Sequence, residues 1–313
     1  MRSFAVFLVA ASLAAALPAA RAQKVVLGMS GWTGFSPLSL ADKADIFKKN
    51  GVEVELRMIP PVPRSAALAS GALNAAATTV DQHIVWMSAG IPSVQVALID
   101  KSNGGDGLAV RSGINSIKDL KGKSVNVDGP GTVQHFMLSY ILQKNGLTIQ
   151  DVIRSTMAAQ PAAQAFVTGQ GDAAVTYEPY LSTVRANPDA GRILVTSRDY
   201  PVVIDVLVFR TDFIKQHPQV VKKVVDSFFE AQEMIRREPA KSFELMGSVV
   251  KQSGEQFGNS AKYLRWQDKA ANQKFFAGEF QAFTTEAAQL LLEIGIIKSI
   301  PKTEDLFDAS FIK

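Results

Sequence analysis

The side chains that could perform covalent or metal chemistry are few in this sequence and lie far apart. It contains no cysteine and only three histidines, His83, His135 and His217, which are scattered along the chain. A cysteine nucleophile and a cysteine-based metal site are therefore excluded, and a histidine-rich metal site is not expected. The sequence also has no glycine-rich phosphate loop, no serine elbow and no paired-histidine motif. We therefore expect no catalytic residue, no metal and no cofactor.

The residues that could hold a ligand lie instead in four loops, each of which follows an apolar run typical of a buried strand. The loops cover residues 30–36, 78–81, 128–133 and 176–180. In open parallel sheets a ligand binds beyond the carboxyl ends of the strands, so these loops are expected to line the site. The candidate ligand-binding residues are Trp32, Phe35, Thr78, Thr79, Asp81, Gly131, Thr132, Tyr177, Glu178 and, in a later apolar run, Asp205.

Two of these loops allow a structural interpretation beside the functional one. Trp32 and Phe35 lie in a glycine-flanked loop and could stack on a ligand or fill the core. The turn GPGT, residues 129–132, precedes a predicted helix. The free backbone N–H groups of that helix would suit an anion or a carbonyl oxygen. Thr132 could equally serve only as the N-cap of the helix.

The acidic candidates differ in how well a structural role explains them. Asp81 stands at a helix start, where N-capping is the simpler role, whereas Glu178 would be a poor N-cap. Asp205 interrupts the apolar run 202–208, and a carboxylate there is costly unless it is paired or faces a cleft. With Asp106 nearby, the candidate set is rich in carboxylates, and none of the four loops contains Lys or Arg. A ligand with N–H donors is therefore favoured at least as much as an anion.

The elements that position these loops alternate as short strands and helices. Apolar runs at 25–29, 52–59, 73–78 and 94–99 predict strands, and the segments between them predict helices, which together indicate parallel βαβ units. The pattern then restarts. ALASGALNAAAT, residues 67–78, aligns without gaps with AFVTGQGDAAVT, residues 165–176, at an offset of 98. Two similar α/β lobes are the simplest interpretation, and a C-terminal helical region, including 218–237, is expected to cover the first.

The N-terminus is typical of a cleaved secretory signal. Arg2 precedes an apolar, alanine-rich run from 4 to 17, and Ala20 and Ala22 form a small-x-small cleavage pattern. We expect residues 1–22 to be removed before Gln23. The remaining 291 residues carry 31 basic and 29 acidic side chains. This near-neutral balance gives no reason to expect nucleic acid or an anionic membrane as a partner.

Four stretches carry a resemblance to a known family. They are GWTGFSP (31–37) with the later GVEV (51–54), ASGALNAAATT (69–79), IKDLKGKSV (117–125) with GPGT (129–132), and GQGDAAVTYEPY (169–180). In these features the chain resembles the nitrate, taurine, alkanesulfonate and thiamine-pyrimidine branch of periplasmic substrate-binding proteins of ABC importers. The similarity covers nearly all of residues 24–300.

The resemblance implies a type II periplasmic-binding-protein fold, in which two doubly wound α/β lobes are joined by two hinge strands. Carried over to this chain, lobe one comprises 24–108 and 203–313, and lobe two comprises 109–202. The hinges are then expected near 107–110 and 201–205. The implied function is capture of a small organic nitrogen- or sulfur-containing solute between the lobes, in the periplasm, by a monomer. The implied partners are an ABC permease and its ATPase in the inner membrane.

Two other functions remain open beside transport. An exported sensory module would present the same ligand to a membrane receptor and would have the same sequence features. The fold is also shared with a pyrimidine synthase of thiamine biosynthesis, which carries a cysteine-rich signature. This chain has no cysteine and carries an export signal, so that enzymatic reading is disfavoured.

Overall fold

The computed structural model describes residues 23–313, and the expected signal peptide lies outside the described residues. Within that range, no helix combines the length and the apolar character needed to cross a membrane. The described chain folds around two separate β-sheets of six and five strands, each with helices packed against it. The first sheet and its helices form lobe one, and the second sheet and its helices form lobe two.

Eleven strands build these sheets. Those of lobe one are β1 Lys24–Met29, β2 Glu53–Met58, β3 Ala75–Thr79, β4 Ser93–Ser102, β10 Ile204–Arg210 and β11 Leu264–Trp266. Those of lobe two are β5 Asp106–Val110, β6 Ser124–Val127, β7 Ile153–Thr156, β8 Ala173–Tyr177 and β9 Arg192–Thr196.

Between residues 23 and 313, thirteen α-helices connect and cover the strands. They are α1 Ser36–Lys43, α2 Ile46–Lys49, α3 Pro61–Ala69, α4 Val80–Ser88, α5 Val133–Lys144, α6 Ala159–Val167, α7 Tyr180–Arg185, α8 Thr211–Gln216, α9 Pro218–Arg237, α10 Pro239–Val249, α11 Gly254–Ala261, α12 Lys269–Lys274 and α13 Phe280–Glu293. Short 3-10 turns cover Thr33–Phe35, Ile117–Leu120, Ile149–Asp151, Pro188–Ala190, Thr303–Asp305 and Ala309–Ile312, and a π turn covers Phe275–Glu279.

The two sheets repeat one topology. Lobe one has the strand order β11-β4-β10-β3-β1-β2, and lobe two has β7-β6-β8-β5-β9. In each lobe three parallel strands, β2-β1-β3 or β7-β6-β8, are followed by an antiparallel strand, β10 or β5. The strands β3 and β8 lie 98 residues apart and occupy the same place in their sheets. The repeat predicted from the aligned segments is therefore a repeat of structure.

The chain passes between the lobes twice, through residues 103–105 and 197–203. A hydrogen bond of 2.7 Å joins Ser102 Oγ to Ser197 Oγ, so the two passages are tied to each other. The first passage lies a few residues earlier than expected. Residues 107–110 belong to β5, which pairs along its whole length with β8, so the expected division between 108 and 109 falls inside a strand of lobe two. The chain crosses between the lobes at the glycine pair just before β5. The apolar pattern of β5 continues that of lobe one, so it does not indicate the crossing.

The C-terminal region packs against lobe one. Helix α9 begins at Pro218, and its apolar residues Val221, Val224, Val225 and Phe228 are fully buried. Their spacing of three and four residues places them on one face, which packs against α1 and α2. The helices of this region pack against lobe one, and the strand ends of the lobe-one sheet face lobe two.

Candidate functional site

A small cavity lies between the two lobes, at the edge where the parallel strands of both sheets end. Its volume is about 30 Å³, which is room for about one or two water molecules or for a small head group. The residues that line it come from both lobes: Ser30, Trp32, Phe35, Pro61, Arg64, Thr78, Thr79, Gln82, Asp106, Val133, Gln134, Tyr177, Val203 and Asp205. The cavity therefore lies where the strand-end rule predicts a ligand.

The structure brings six of the ten predicted site residues together at this cavity: Trp32, Phe35, Thr78, Thr79, Tyr177 and Asp205. The other four, Asp81, Gly131, Thr132 and Glu178, lie close behind it but do not line it. The walls also contain residues that the loop rule did not select, among them Arg64, Gln82 and Gln134. These three lie on helices, and the rule that selected strand-end loops gave no signal for them.

At the centre of the site, two carboxylates face each other across neighbouring strands. Asp205 of β10 is paired in register with Asp100 of β4, and both side chains are fully buried. The indole Nε1 of Trp32 donates to both, at 3.1 Å to Asp205 Oδ2 and 3.3 Å to Asp100 Oδ2. Burial, and then the proximity of the two groups, raises the pKa of Asp205 well above its usual value, and burial does the same for the pKa of Asp100. Trp32 is thus both a core residue and a cavity wall.

Two further buried carboxylates complete the cluster. Asp106, at the start of β5, accepts a weak hydrogen bond of 3.5 Å from Gln134 Nε2, and Asp81 stands in the first turn of α4. Burial raises the pKa of each of these carboxyl groups to about 7. One oxygen each of Asp81, Asp100 and Asp106 has no hydrogen-bond partner within residues 23–313. Buried carboxylate oxygens without donors are costly. Of these three groups only Asp106 lines the cavity, so its free oxygen is the one placed to accept an N–H group from a ligand.

The cavity also contains a cation, contrary to the expectation drawn from the four loops. Arg64 of α3 is fully buried, and its guanidinium donates to the carbonyl oxygens of Ile59 and Ala77, at 2.8 Å and 2.6 Å from the two terminal nitrogens. Burial lowers the pKa of Arg64 to about 10, so it stays charged at neutral pH. The strand-end rule does not select Arg64, because it lies inside a helix whose other residues are small or apolar.

The start of α5 forms the opposite wall. Val133 and Gln134, the first two residues of this helix, line the cavity. Thr132 is the N-cap, since its hydroxyl oxygen accepts from the backbone N–H of His135 at 3.4 Å and donates to Gly129 O at 2.7 Å. Across the cleft, Gln82 Nε2 of lobe one donates to the carbonyl oxygen of Gly131 at 3.4 Å. Gly131 and Thr132 therefore shape the helix terminus and join the lobes, while the turn that follows them faces the cavity.

Glu178 has a different environment from the one that a ligand role requires. Its carboxylate is fully buried and forms an ion pair with Arg185 of α7, and Ser182 N donates to it at 3.2 Å. Arg185 also donates to the carbonyl oxygen of Gly104 and lies 4.0 Å from the centre of the Tyr263 ring. Because its oxygens are occupied and it does not line the cavity, Glu178 is placed beside the passage between the lobes and away from the ligand space.

Relatives and solved structures support the fold and its family. The taurine-binding periplasmic protein of Escherichia coli K12 is 25% identical over 302 residues, 92% of each chain. The alkanesulfonate-binding protein SsuA from Xanthomonas axonopodis pv. citri, bound to MOPS, has a TM-score of 0.75 at 18% identity and covers 91% of this chain and 96% of its own. The periplasmic nitrate-binding protein NrtA from Synechocystis PCC 6803 has a TM-score of 0.76 at 14% identity, with coverages of 93% and 87%.

These similarities confirm the predicted resemblance to taurine-, sulfonate- and nitrate-binding proteins and the periplasmic-binding-protein fold. The NMT1-like family matches residues 19–247, which is more than two thirds of the sequence and includes both passages between the lobes. With the fold, the cavity and this match in agreement, the chain belongs to the NMT1-like family.

Proposed function

We propose that this protein is the exported solute-binding component of an ABC importer, and that its solute carries a cationic or amidine-type head rich in N–H donors. The observation that carries the ligand class is a buried acidic cluster, in which Asp106 and Asp205 line the cavity and Asp81 and Asp100 lie behind it. Charge-assisted hydrogen bonds to such oxygens are stronger than neutral ones, each contributing about 1.5–3 kcal/mol net. Two of them contribute about 3–6 kcal/mol, so packing against Trp32 and burial of the rest of the solute must add about 2–5 kcal/mol to reach a micromolar site of about −8 kcal/mol.

The titration of the cluster makes the charge of the solute measurable. A cation at the cavity favours the ionised carboxylates and lowers their pKa, so binding releases protons near pH 7, where Asp81 and Asp106 are partly protonated. Affinity then rises with pH up to about 8. An anion favours the protonated carboxyls, takes up protons on binding and binds more tightly as the pH falls.

Calorimetry in buffers of different ionisation enthalpy gives the number and sign of the protons exchanged. Benzamidine and acetamidine are suitable cationic probes, and taurine and an alkanesulfonate are the matched zwitterionic and anionic probes. Proton release on binding of an amidine supports the proposal. Binding of the sulfonate alone, with proton uptake, would overturn the cationic ligand class.

A second candidate ligand is an anion, which two observations favour. The buried guanidinium of Arg64 lines the cavity, and the first turn of α5 faces it with backbone N–H groups at the positive end of the helix. The relatives named above bind taurine, alkanesulfonates and nitrate. The acidic cluster opposes this assignment, and the sign of the proton exchange decides between the two.

The proposal includes export and cleavage. Relatives of this chain are periplasmic proteins, and the sequence predicts that the mature protein begins at Gln23. Edman sequencing of the protein recovered from the periplasm of its host is expected to begin at Gln23, and an N-terminus that retains residues 1–22 would contradict this. Binding is favoured over catalysis because the relatives named above are binding proteins.

A further inference from the structure

A second chamber opens outward from the cavity at the mouth of the cleft. Its volume is about 230 Å³, several times that of the inner cavity. Ser30, Pro61 and Tyr177 line both spaces, so they adjoin each other. A solute whose head fills the inner cavity therefore has its remaining atoms directed into this chamber.

The walls of the chamber are mainly apolar and come from both lobes. Lobe one contributes Met58, Ile59 and Pro60, and lobe two contributes Ala158, Ala159 and Pro161. Met58 is 48% exposed, so it has apolar surface that a ligand can cover. The polar groups of the wall are Ser30, Asp128, Gln160 and the hydroxyls of two tyrosines. Asp128 Oδ1 accepts from Gly129 N at 2.7 Å.

Two tyrosines give the chamber an aromatic floor. The rings of Tyr177 and Tyr180 both line it, and their centres lie 5.5 Å apart. Tyr177 also contacts the Trp32 ring edge-on at 5.7 Å, which links the floor to the inner cavity. Aromatic rings prefer such edge and tilted contacts with one another, so a flat apolar group of the solute can pack against the face that these two rings present to the chamber.

Resting on the function proposed above, we propose that the mouth chamber is a second subsite that takes an apolar, preferably aromatic, body attached to the N–H-rich head. The solute is then an extended molecule, with a polar end held by the carboxylates and an apolar end held by both lobes at the mouth. The chamber sets specificity because closing the lobes buries the apolar body between Met58 on one side and Ala158 on the other.

The test compares two ligands with the same amidine head, of which benzamidine carries an apolar phenyl group and acetamidine does not. By calorimetry at pH 8, benzamidine is expected to bind at least about tenfold more tightly than acetamidine, since the phenyl ring leaves water for the chamber. Met58→Gln should weaken benzamidine about three- to tenfold and leave acetamidine unchanged. The matched control is Ile153→Gln, because Ile153 is 63% exposed at the start of β7 and does not line the chamber.

The outcomes separate this inference from the function on which it rests. If both amidines bind with equal affinity, or if Met58→Gln binds benzamidine as wild type does, the mouth subsite is wrong and the cationic head site stands. If neither amidine binds while taurine or an alkanesulfonate does, the proposed ligand class is wrong, and the subsite for this solute falls with it.

Discussion

At the scale of single residues, we expect the buried carboxylates to influence both binding and stability. Asp205 lines the cavity and shares the Trp32 indole N–H with Asp100. A neutral amide at this position keeps the shape but loses the charge. Asp205→Asn is therefore expected to weaken benzamidine at least about tenfold, the value of one charge-assisted hydrogen bond. Calorimetry on Asp42→Asn, an exposed position of α1, is the control, and equal affinity in both variants would contradict the prediction.

The pH dependence of stability follows from the same group of residues. The pKa of Asp81 is about 7 in the folded protein against 3.8 normally, so the folded state binds more protons between these values. Its contribution to the free energy of unfolding is full below about pH 4 and is lost as the pH rises through 7. The free energy of unfolding of Asp81→Asn, relative to that of wild type, should therefore increase as the pH rises, by up to about 4 kcal/mol at pH 8.

Urea unfolding of both proteins without ligand at pH 4.5, 6 and 8 measures this difference. Asp42→Asn again serves as the control and should track wild type at each pH. A stability difference between Asp81→Asn and wild type that stays constant from pH 4.5 to 8 would show that Asp81 is ionised in the folded protein.

At the scale of elements, helix α7 and the segment after α11 meet beside the passage between the lobes. The Arg185 guanidinium of lobe two stacks on the Tyr263 ring of lobe one, and Ser260 Oγ lies 3.5 Å from Glu178 Oε2. These contacts join the two lobes in this structure, and we expect them to break when the lobes part. Tyr263→Ala should therefore weaken benzamidine by about two- to fivefold, the value of a cation–π contact at a partly exposed site.

The expected signature of this contact is a loss of affinity with little loss of stability. Calorimetry and thermal unfolding of the same variant measure the two, with Lys262→Ala, an exposed neighbour, as the control. Unchanged affinity in Tyr263→Ala would show that the contact has no part in closure.

The elements themselves were largely predictable, because they follow from local patterns of apolar residues. Strand β1, the helix Pro218–Arg237 and the repeat at offset 98 lie where periodicity and the alignment of segments predict them. The site was only partly predictable, because its walls depend on contacts between distant segments. Arg64 reaches the cavity from inside a helix, and Asp100 becomes important only because β4 lies beside β10. The pairing of Glu178 with Arg185 could not be predicted from the sequence, because it depends on the path of the turn that leads into α7.

At the scale of the whole molecule, the two passages between the lobes define the expected motion. Residues 103–105 and 197–203 are the connections, and Gly104 has a φ of +102°, a conformation that a residue with a side chain rarely adopts. We expect the lobes to hinge there and to close on the solute. Small-angle scattering should show a smaller radius of gyration with saturating benzamidine than without ligand, and an equal radius in both samples would indicate a rigid site.

The clustered carboxylates of the proposed site would also let an importer distinguish loaded from unloaded molecules. Burial raises the pKa of Asp100, Asp106 and Asp205, so without a ligand these groups favour their neutral forms. A cationic solute of the proposed class favours their ionised forms, and we expect its charge to stabilise the closed arrangement of the lobes. An importer that docks only shut molecules would ignore unloaded ones, so that ATP hydrolysis at the membrane is coupled to delivery rather than to the mere abundance of the binding protein.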